Sequence, residues 1–197
     1  MSTPTPRRRG RPRDPAVDDA ILDAALRLFI EEGPDGATIE RIAARAGVTR
    51  PTVYRRWKDR NTLLVEAIAK VREQAERPLG EAAPTSLAET LTWMTEAIPS
   101  ALAQPESRTL LARLIGAVPD RPELLERYWS DVLGPRWSAF GALLQGSSPA
   151  TSADAELLSD IVAGALVWRV LVRPEPKSEP EIREYLTDLL RLLGLGR

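Results

Sequence analysis

Between Arg41 and Arg60 the chain carries seven lysines or arginines, Arg41, Arg45, Arg50, Arg55, Arg56, Lys58 and Arg60, against one acidic side chain, Asp59. Guanidinium groups bind phosphate oxygens and the O6/N7 edge of guanine bidentately, and hydroxyl groups add neutral phosphate contacts. Thr49, Arg50, Pro51, Thr52, Tyr54, Arg55 and Arg56 crowd into one short stretch, so the chemistry on offer is recognition of a nucleic acid. Catalytic chemistry is hard to find. With no cysteine and no histidine in 197 residues, disulfides, thiolate nucleophiles, zinc-finger ligation and imidazole base catalysis are all excluded. An enzyme would have to rely on carboxylates, and no Asp or Glu pair stands out on an apolar face. We therefore expect no catalytic residue, no metal site and no cofactor.

The elements that must position those side chains are legible from local chemistry. Thr38 is suited to cap a helix, because its hydroxyl can accept from an otherwise unpartnered amide of the first turn. Behind it Ile42, Ala43 and Ala46 form an apolar stripe at helical spacing, with Glu40, Arg41 and Arg45 outside. Gly47 follows at the point where a left-handed residue ends a helix most cheaply. Val48 can plug the corner, Thr49 can cap the next helix, and Pro51 falls in its first turn, where a missing N–H costs nothing. Val53 and Trp57, four apart, define the buried face, leaving Arg50, Thr52, Tyr54, Arg55 and Arg56 on the other. A plain helical bundle with a solvated basic face is the rival reading, and it leaves Gly47, Pro51 and Tyr54 at these offsets unexplained. For Tyr54 alone, a half-buried core position stays open.

The pattern Thr38-x3-Ile42-Ala43-x2-Ala46-Gly47-Val48-x2-Pro51-Thr52-x-Tyr54-x2-Trp57-x2-Arg60-x2-Leu63-Leu64 resembles the N-terminal domain of the TetR family of bacterial transcriptional repressors, over roughly residues 15–70. The resemblance implies an all-α fold: an N-terminal three-helix, helix-turn-helix DNA-binding domain followed by a C-terminal helical bundle for ligand binding and dimerisation. It also implies that the third helix enters the major groove, with Arg50, Pro51, Thr52 and Arg55 facing bases, Pro51 against a thymine methyl. Tyr54, Arg56, Arg60 and Thr38 would then hold phosphates. Trp57 stands where the family usually has Phe, and Arg60 where it usually has Lys. Base-facing positions vary freely in the family, so the operator sequence is not encoded in the motif.

Charge division along the chain agrees with this. Residues 1–77 carry 16 basic and 12 acidic side chains, net +4, and residues 78–197 carry 11 and 16, net −5. Residues 1–14 hold three prolines and a run of arginines, and are expected to be a disordered basic arm. Within it Arg9-Gly10-Arg11-Pro12 has the form of an AT-hook core, whose arginines would point into a narrow minor groove. A nonspecific phosphate-binding tail is an equal alternative.

The expected organisation is the arm at 1–14, the helix-turn-helix domain at 15–58, and a ligand-binding and dimerisation domain at 59–197. The first helix should start with Asp14 and Pro15 and run to Gly33, burying Ile21, Leu22, Ala25, Leu28 and Phe29. The fourth should start at Asp59. Further helices are expected near 85–103, 106–117, 121–145, 153–172 and 179–193, with Gly134-Pro135 interrupting the third of these and Gly146–Ser152 as the longest loop. By resemblance, the last two pack against a partner copy through Ile161, Gly164, Ala165 and Trp168, and through Ile182, Tyr185, Leu186 and Leu189. Such a homodimer would bind a palindromic operator in double-stranded DNA. Trp93, Met94, Tyr128, Trp129, Trp137, Phe140 and Trp168, with Arg113, Arg108 and Glu96 as polar neighbours, supply the candidate pocket for a mainly apolar small-molecule inducer. A regulator without a small-molecule signal, constitutive or protein-partnered, is the alternative. No apolar run approaches the roughly 20 residues that span a bilayer, so a cytoplasmic protein without membrane contact is expected.

Overall fold

The computed structural model describes residues 14–76, 85–147, 152–173, 175 and 177–195. Helix α1 (Pro15–Gly36) begins as expected, with Pro15 in its first turn and the Asp14 carboxylate accepting from Ala16 N–H at 3.1 Å. Its inner face is Ile21, Leu22, Ala25, Leu28 and Phe29, and at Gly33 (φ 76°) the helix breaks before a last turn through Pro34. Then come α2 (Ile39–Arg45), α3 (Arg50–Tyr54) and α4 (Arg60–Glu76). With seven and five residues, α2 and α3 are far too short to hold as isolated helices. Burial of Ile39, Ile42, Ala43 and Val53 holds them.

The remainder is α5 (Leu87–Ala103), α6 (Pro105–Gly116), α7 (Pro122–Tyr128), α8 (Gly134–Ser147), α9 (Ser152–Val167) and α10 (Glu179–Leu192). The described residues contain helices and no strand, so the chain is all-α. Gly134-Pro135 does not interrupt the helical run as expected. Instead a π turn at Trp129–Leu133 widens it, and Gly134 N–H donates to the Trp129 carbonyl five residues back. Pro135 cannot donate to the regular ladder, and a wider turn absorbs that defect without a break. A second π turn, Trp168–Val172, ends the α9 run, with Arg173 N–H on the Trp168 carbonyl at 3.1 Å. The expected loop at 146–152 and the arm at 1–14 fall largely outside the described residues.

Two apolar cores organise the fold. The first joins α1–α4 to Leu110 and Leu114 of α6 and Leu124 and Tyr128 of α7. The second collects Met94 from α5, Phe140 and Leu144 from α8, Val162 and Leu166 from α9, and Ile182, Leu186 and Leu190 from α10. The first core thus runs across the expected boundary at 58/59: Leu63, Leu64, Val65, Ala67 and Ile68 of α4 pack with the reading head and with α6 and α7 together. Ion pairs follow the same seam, Arg121 with Asp35 and Arg127 with Asp59, the latter at 3.1 Å.

Candidate nucleic-acid interface

The turn between α2 and α3 is built from backbone geometry. Thr38 Oγ1 accepts from Arg41 N–H at 3.3 Å. At the other end of α2, Gly47 sits at φ 67° with no atom within 4 Å of where a Cβ would be, so the positive φ rather than crowding demands glycine. Val48 N–H closes the corner onto the Ala43 carbonyl at 2.9 Å. Thr49 takes the cap position, but its hydroxyl lies 3.0 Å from Thr52 Oγ1 instead of meeting an amide. Thr52 Oγ1 also accepts from Arg55 Nη2 at 3.0 Å. The Thr49 carbonyl, not its side chain, receives the Thr52 and Val53 amides, at 2.9 and 3.4 Å.

Burial then sorts the side chains of α3 and of the turn that follows it to Trp57. Val53 and Trp57 are buried, and the Trp57 indole N–H donates to Glu66 at 2.6 Å. Arg50, Pro51, Tyr54 and Arg55 are exposed, Tyr54 at 53%, which removes the core reading of that tyrosine. Arg50 pairs with Glu40 at 2.9 Å, both side chains more than half exposed; a pair in such surroundings contributes little and a phosphate competes with it easily.

Four other arginines are committed to contacts within the head. Arg45 donates twice to Glu31 at 2.6 and 2.7 Å, and Arg41 makes the equivalent double contact with Glu32. Those guanidinium hydrogen bonds hold both carboxyls below the usual carboxylate range. Arg56, expected on a phosphate, is bonded to Asp18 and to the Thr52 carbonyl at 3.1 Å, with its side chain only 12% exposed. Arg60, expected in the same role, donates to the Pro34 carbonyl at 3.2 Å; burial foremost, then the nearby charge of Arg121, lowers its guanidinium from the ordinary value. Arg56 thus ties α1 to the end of α3, and Arg60 ties α1 to the start of α4. The exposed cations left around α3 are Arg50, Arg55 and Lys58. Arg9 and Arg11 lie outside the described residues.

In the body, the candidate pocket residues separate. Trp129 and Trp137 line an open-mouthed cleft of about 410 Å³ between α8 and α9, with Gly134, Ser138, Gly141, Ala142, Ala155, Glu156, Ser159 and Asp160. Met94 and Phe140 fill the second core, and Trp93 packs against it. Tyr128 belongs to the first core, and Arg113 reaches out to the Glu31 carbonyl at 3.3 Å. Trp168 is 57% exposed. Glu96 pairs with Arg183, and Arg108 donates to the Lys177 carbonyl at 3.4 Å. Sequence reasoning found the two indoles but missed the carboxylates and the small residues between them; Gly134, Ser138, Gly141 and Ala142 recurring on one side of α8 were the available signal.

The candidate interface residues separate too. Ile161, Gly164 and Trp168 are exposed and Ala165 is half-buried, while Ile182 and Leu186 are fully buried in their own core, with Tyr185 and Leu189 half-buried beside them. The expectation that Ile182 and Leu186 face a partner copy is corrected: 182, 186 and 190 are the inward stripe of α10. Leu157 and Val172 join Ile161 and Trp168 on an exposed apolar ridge along α9 and its π turn, at separations of four, seven and four residues. Among the described residues no helix is long and apolar enough to cross a membrane, and no His, Cys, Asp and Glu grouping suits a metal ion.

Comparison with known proteins agrees with the head and the body alike. YdeS of Bacillus subtilis (strain 168), an HTH-type transcriptional regulator, is 27% identical over 188 residues, 93% of each chain. Among solved structures, the flavonoid-responsive regulator FrrA superposes with a TM-score of 0.67 at 17% identity, covering 91% of this chain and 95% of its own. A transcriptional regulator from Saccharomonospora viridis, solved in complex with choline, superposes with a TM-score of 0.61 at 19% identity, covering 90% and 97%. Residues 21–67 match the profile of bacterial regulatory proteins of the tetR family, and residues 84–189 match the tetracyclin repressor-like C-terminal domain. The chain belongs to the TetR family of transcriptional regulators, with its DNA-binding helix-turn-helix at α2 and α3.

Proposed function

We propose that this regulator is a repressor, bound as a homodimer to a palindromic operator and released from it by a small molecule held in the body. The observation that carries the DNA end is the division of α3 and the turn after it, with Val53 and Trp57 sealed inside and Arg50, Pro51, Tyr54 and Arg55 bare. Arg50 and Arg55 are the base readers in this reading, Pro51 meets a thymine methyl, Tyr54 and Lys58 hold phosphates, and Thr38 offers its helix N-terminus to a further one. Arg56 and Arg60 brace the head from within. Dimerisation rests on the ridge Leu157, Ile161, Trp168 and Val172, because large apolar side chains in one line along a helix mark a surface that gains free energy when protein covers it. The effector reading draws on the cleft of about 410 Å³ and on two neighbours of the same fold whose names record a flavonoid response and bound choline. A regulator without a small-molecule signal is favoured by one observation, the packing of Met94, Phe140 and Leu144 through the interior of the body.

The test is fluorescence anisotropy on the DNA flanking its own gene, against scrambled DNA, over a range of salt. Selective binding of two chains per palindrome supports the reading. Equal, weak binding to both sequences overturns it. In the same titration a chain lacking residues 2–13 reads out the arm: if Arg9 and Arg11 touch DNA, log K falls less steeply with log salt.

A further inference from the structure

We propose that the cleft between α8 and α9 takes an amphipathic organic cation, an aromatic quaternary ammonium or a compound of that chemistry, rather than a neutral apolar molecule. The inference rests on the effector reading above and names its ligand class. Two walls of the cleft are the indoles of Trp129 and Trp137, the aromatic rings that attract cations most strongly. Gly134 fixes the first of them: a Cβ there would lie 3.0 Å from the Trp129 carbonyl oxygen and 3.6 Å from its Nε1, so the indole lies back over the helix where no side chain stands. The Trp137 ring is steadied by Phe140, edge to face at 6.0 Å. With the indoles, the small residues Gly134, Ser138, Gly141, Ala142, Ala155 and Ser159 line the cleft, which is why space remains.

Charge then selects among the molecules that fit. Glu156 and Asp160 lie one turn apart on α9, both exposed and both lining the cleft. Among the described residues none that lines it is basic, and none pairs with either carboxylate. Like charges at this spacing repel on a helix surface, whereas Glu31, Glu32, Asp18 and Asp59 each have an arginine beside them. A neutral ligand would strip water from both without compensation. A cation seated against the indoles relieves the repulsion and meets the aromatic faces at once.

The probe is benzyltrimethylammonium, set against neopentylbenzene, in which carbon replaces the quaternary nitrogen and shape is kept. Binding is read by tryptophan fluorescence and calorimetry on the DNA-free protein. We expect the cation to bind at least tenfold more tightly than the hydrocarbon. That preference should fall below threefold in the Glu156→Gln/Asp160→Asn variant, and Trp129→Leu should weaken the cation at least fivefold. All three positions are exposed, so the melting temperature of each variant should match the parent. Equal or tighter binding of the hydrocarbon overturns the proposal, as does a preference that survives loss of both carboxylates. Because no DNA is present, such a failure leaves the regulator reading intact, whereas cation binding without loss of operator affinity sinks the effector reading and leaves the site standing.

Discussion

Helices α3 and α9 each bury one face and leave the other bare, and the bare faces have opposite chemistry. On α3 and its C-cap they are Arg50, Pro51, Tyr54 and Arg55; on α9 and its π turn they are Leu157, Ile161, Trp168 and Val172. The first surface is at ease in water and gains only when a polyanion replaces the solvent. The second is not at ease, and its free energy falls when protein covers it. The exposed face therefore states the class of partner, while the buried face states only that the helix belongs to the fold. Two tryptophans mark the contrast, since Trp57 is 4% exposed and Trp168 is 57% exposed.

Trp57→Ala breaks the comparison from the α3 side and carries the largest effect. Emptying a fully packed tryptophan site and orphaning Glu66 should cost about 3–5 kcal/mol, read by urea unfolding, with DNA binding lost in parallel; a loss under 1 kcal/mol would mean that Trp57 is not the inner anchor of α3. Trp168→Glu attacks the other face. Monomer folding should barely change, but the dimer should dissociate at least 100-fold more readily, close to 3 kcal/mol, by sedimentation equilibrium. An unchanged dimer would move the interface off this ridge.

Arg50→Ala sharpens the comparison within α3. If Arg50 reads a guanine, discrimination at one base pair per half-site should drop by about 1–3 kcal/mol, whereas Tyr54→Phe should weaken all sequences alike; the reverse pattern exchanges the two roles. The smallest effect belongs to Asp59, which caps α4 by accepting from Thr62 N–H at 2.7 Å and also meets Arg127. Asp59→Ala should cost about 1 kcal/mol at neutral pH. The Thr62 amide foremost, then desolvation in the opposite sense, the Thr62 hydroxyl and Arg127, leave the Asp59 carboxyl below its ordinary value. Its contribution is thus present above the unfolded-state value near 4 and is lost as pH falls through the lowered one. The gap between parent and variant should close in unfolding curves taken near pH 2.

How much of this was legible varies with the range of the forces involved. The α2–α3 turn was readable because Thr38, Gly47 and Pro51 act on their own backbone within a few residues, and each does in the structure what its chemistry dictates. The internal contacts of Arg56 and Arg60 were not legible, because the type and position of a cation say nothing of an acid 38 residues away in sequence, such as Asp18, or of a carbonyl at a helix break, such as that of Pro34. The inward turn of Ile182 and Leu186 was missed for a related reason: α10 carries Tyr185 and Leu189 beside its inner stripe, so periodicity left its orientation open. The cleft was half visible, since aromatic residues advertise themselves and small ones do not.

The π turn at Trp129–Leu133 has a consequence for communication through the molecule. Tyr128 is sealed in the core that α4 shares with the reading head, and Trp129 is a wall of the cleft. One peptide bond separates them. A guest that pulls on the indole acts on a stretch whose hydrogen bonds already depart from the regular α pattern. Any rotation taken up there reaches the phenol next door with no intermediary, so amide exchange along α4 should register an occupant of the cleft before any change in the DNA contacts does.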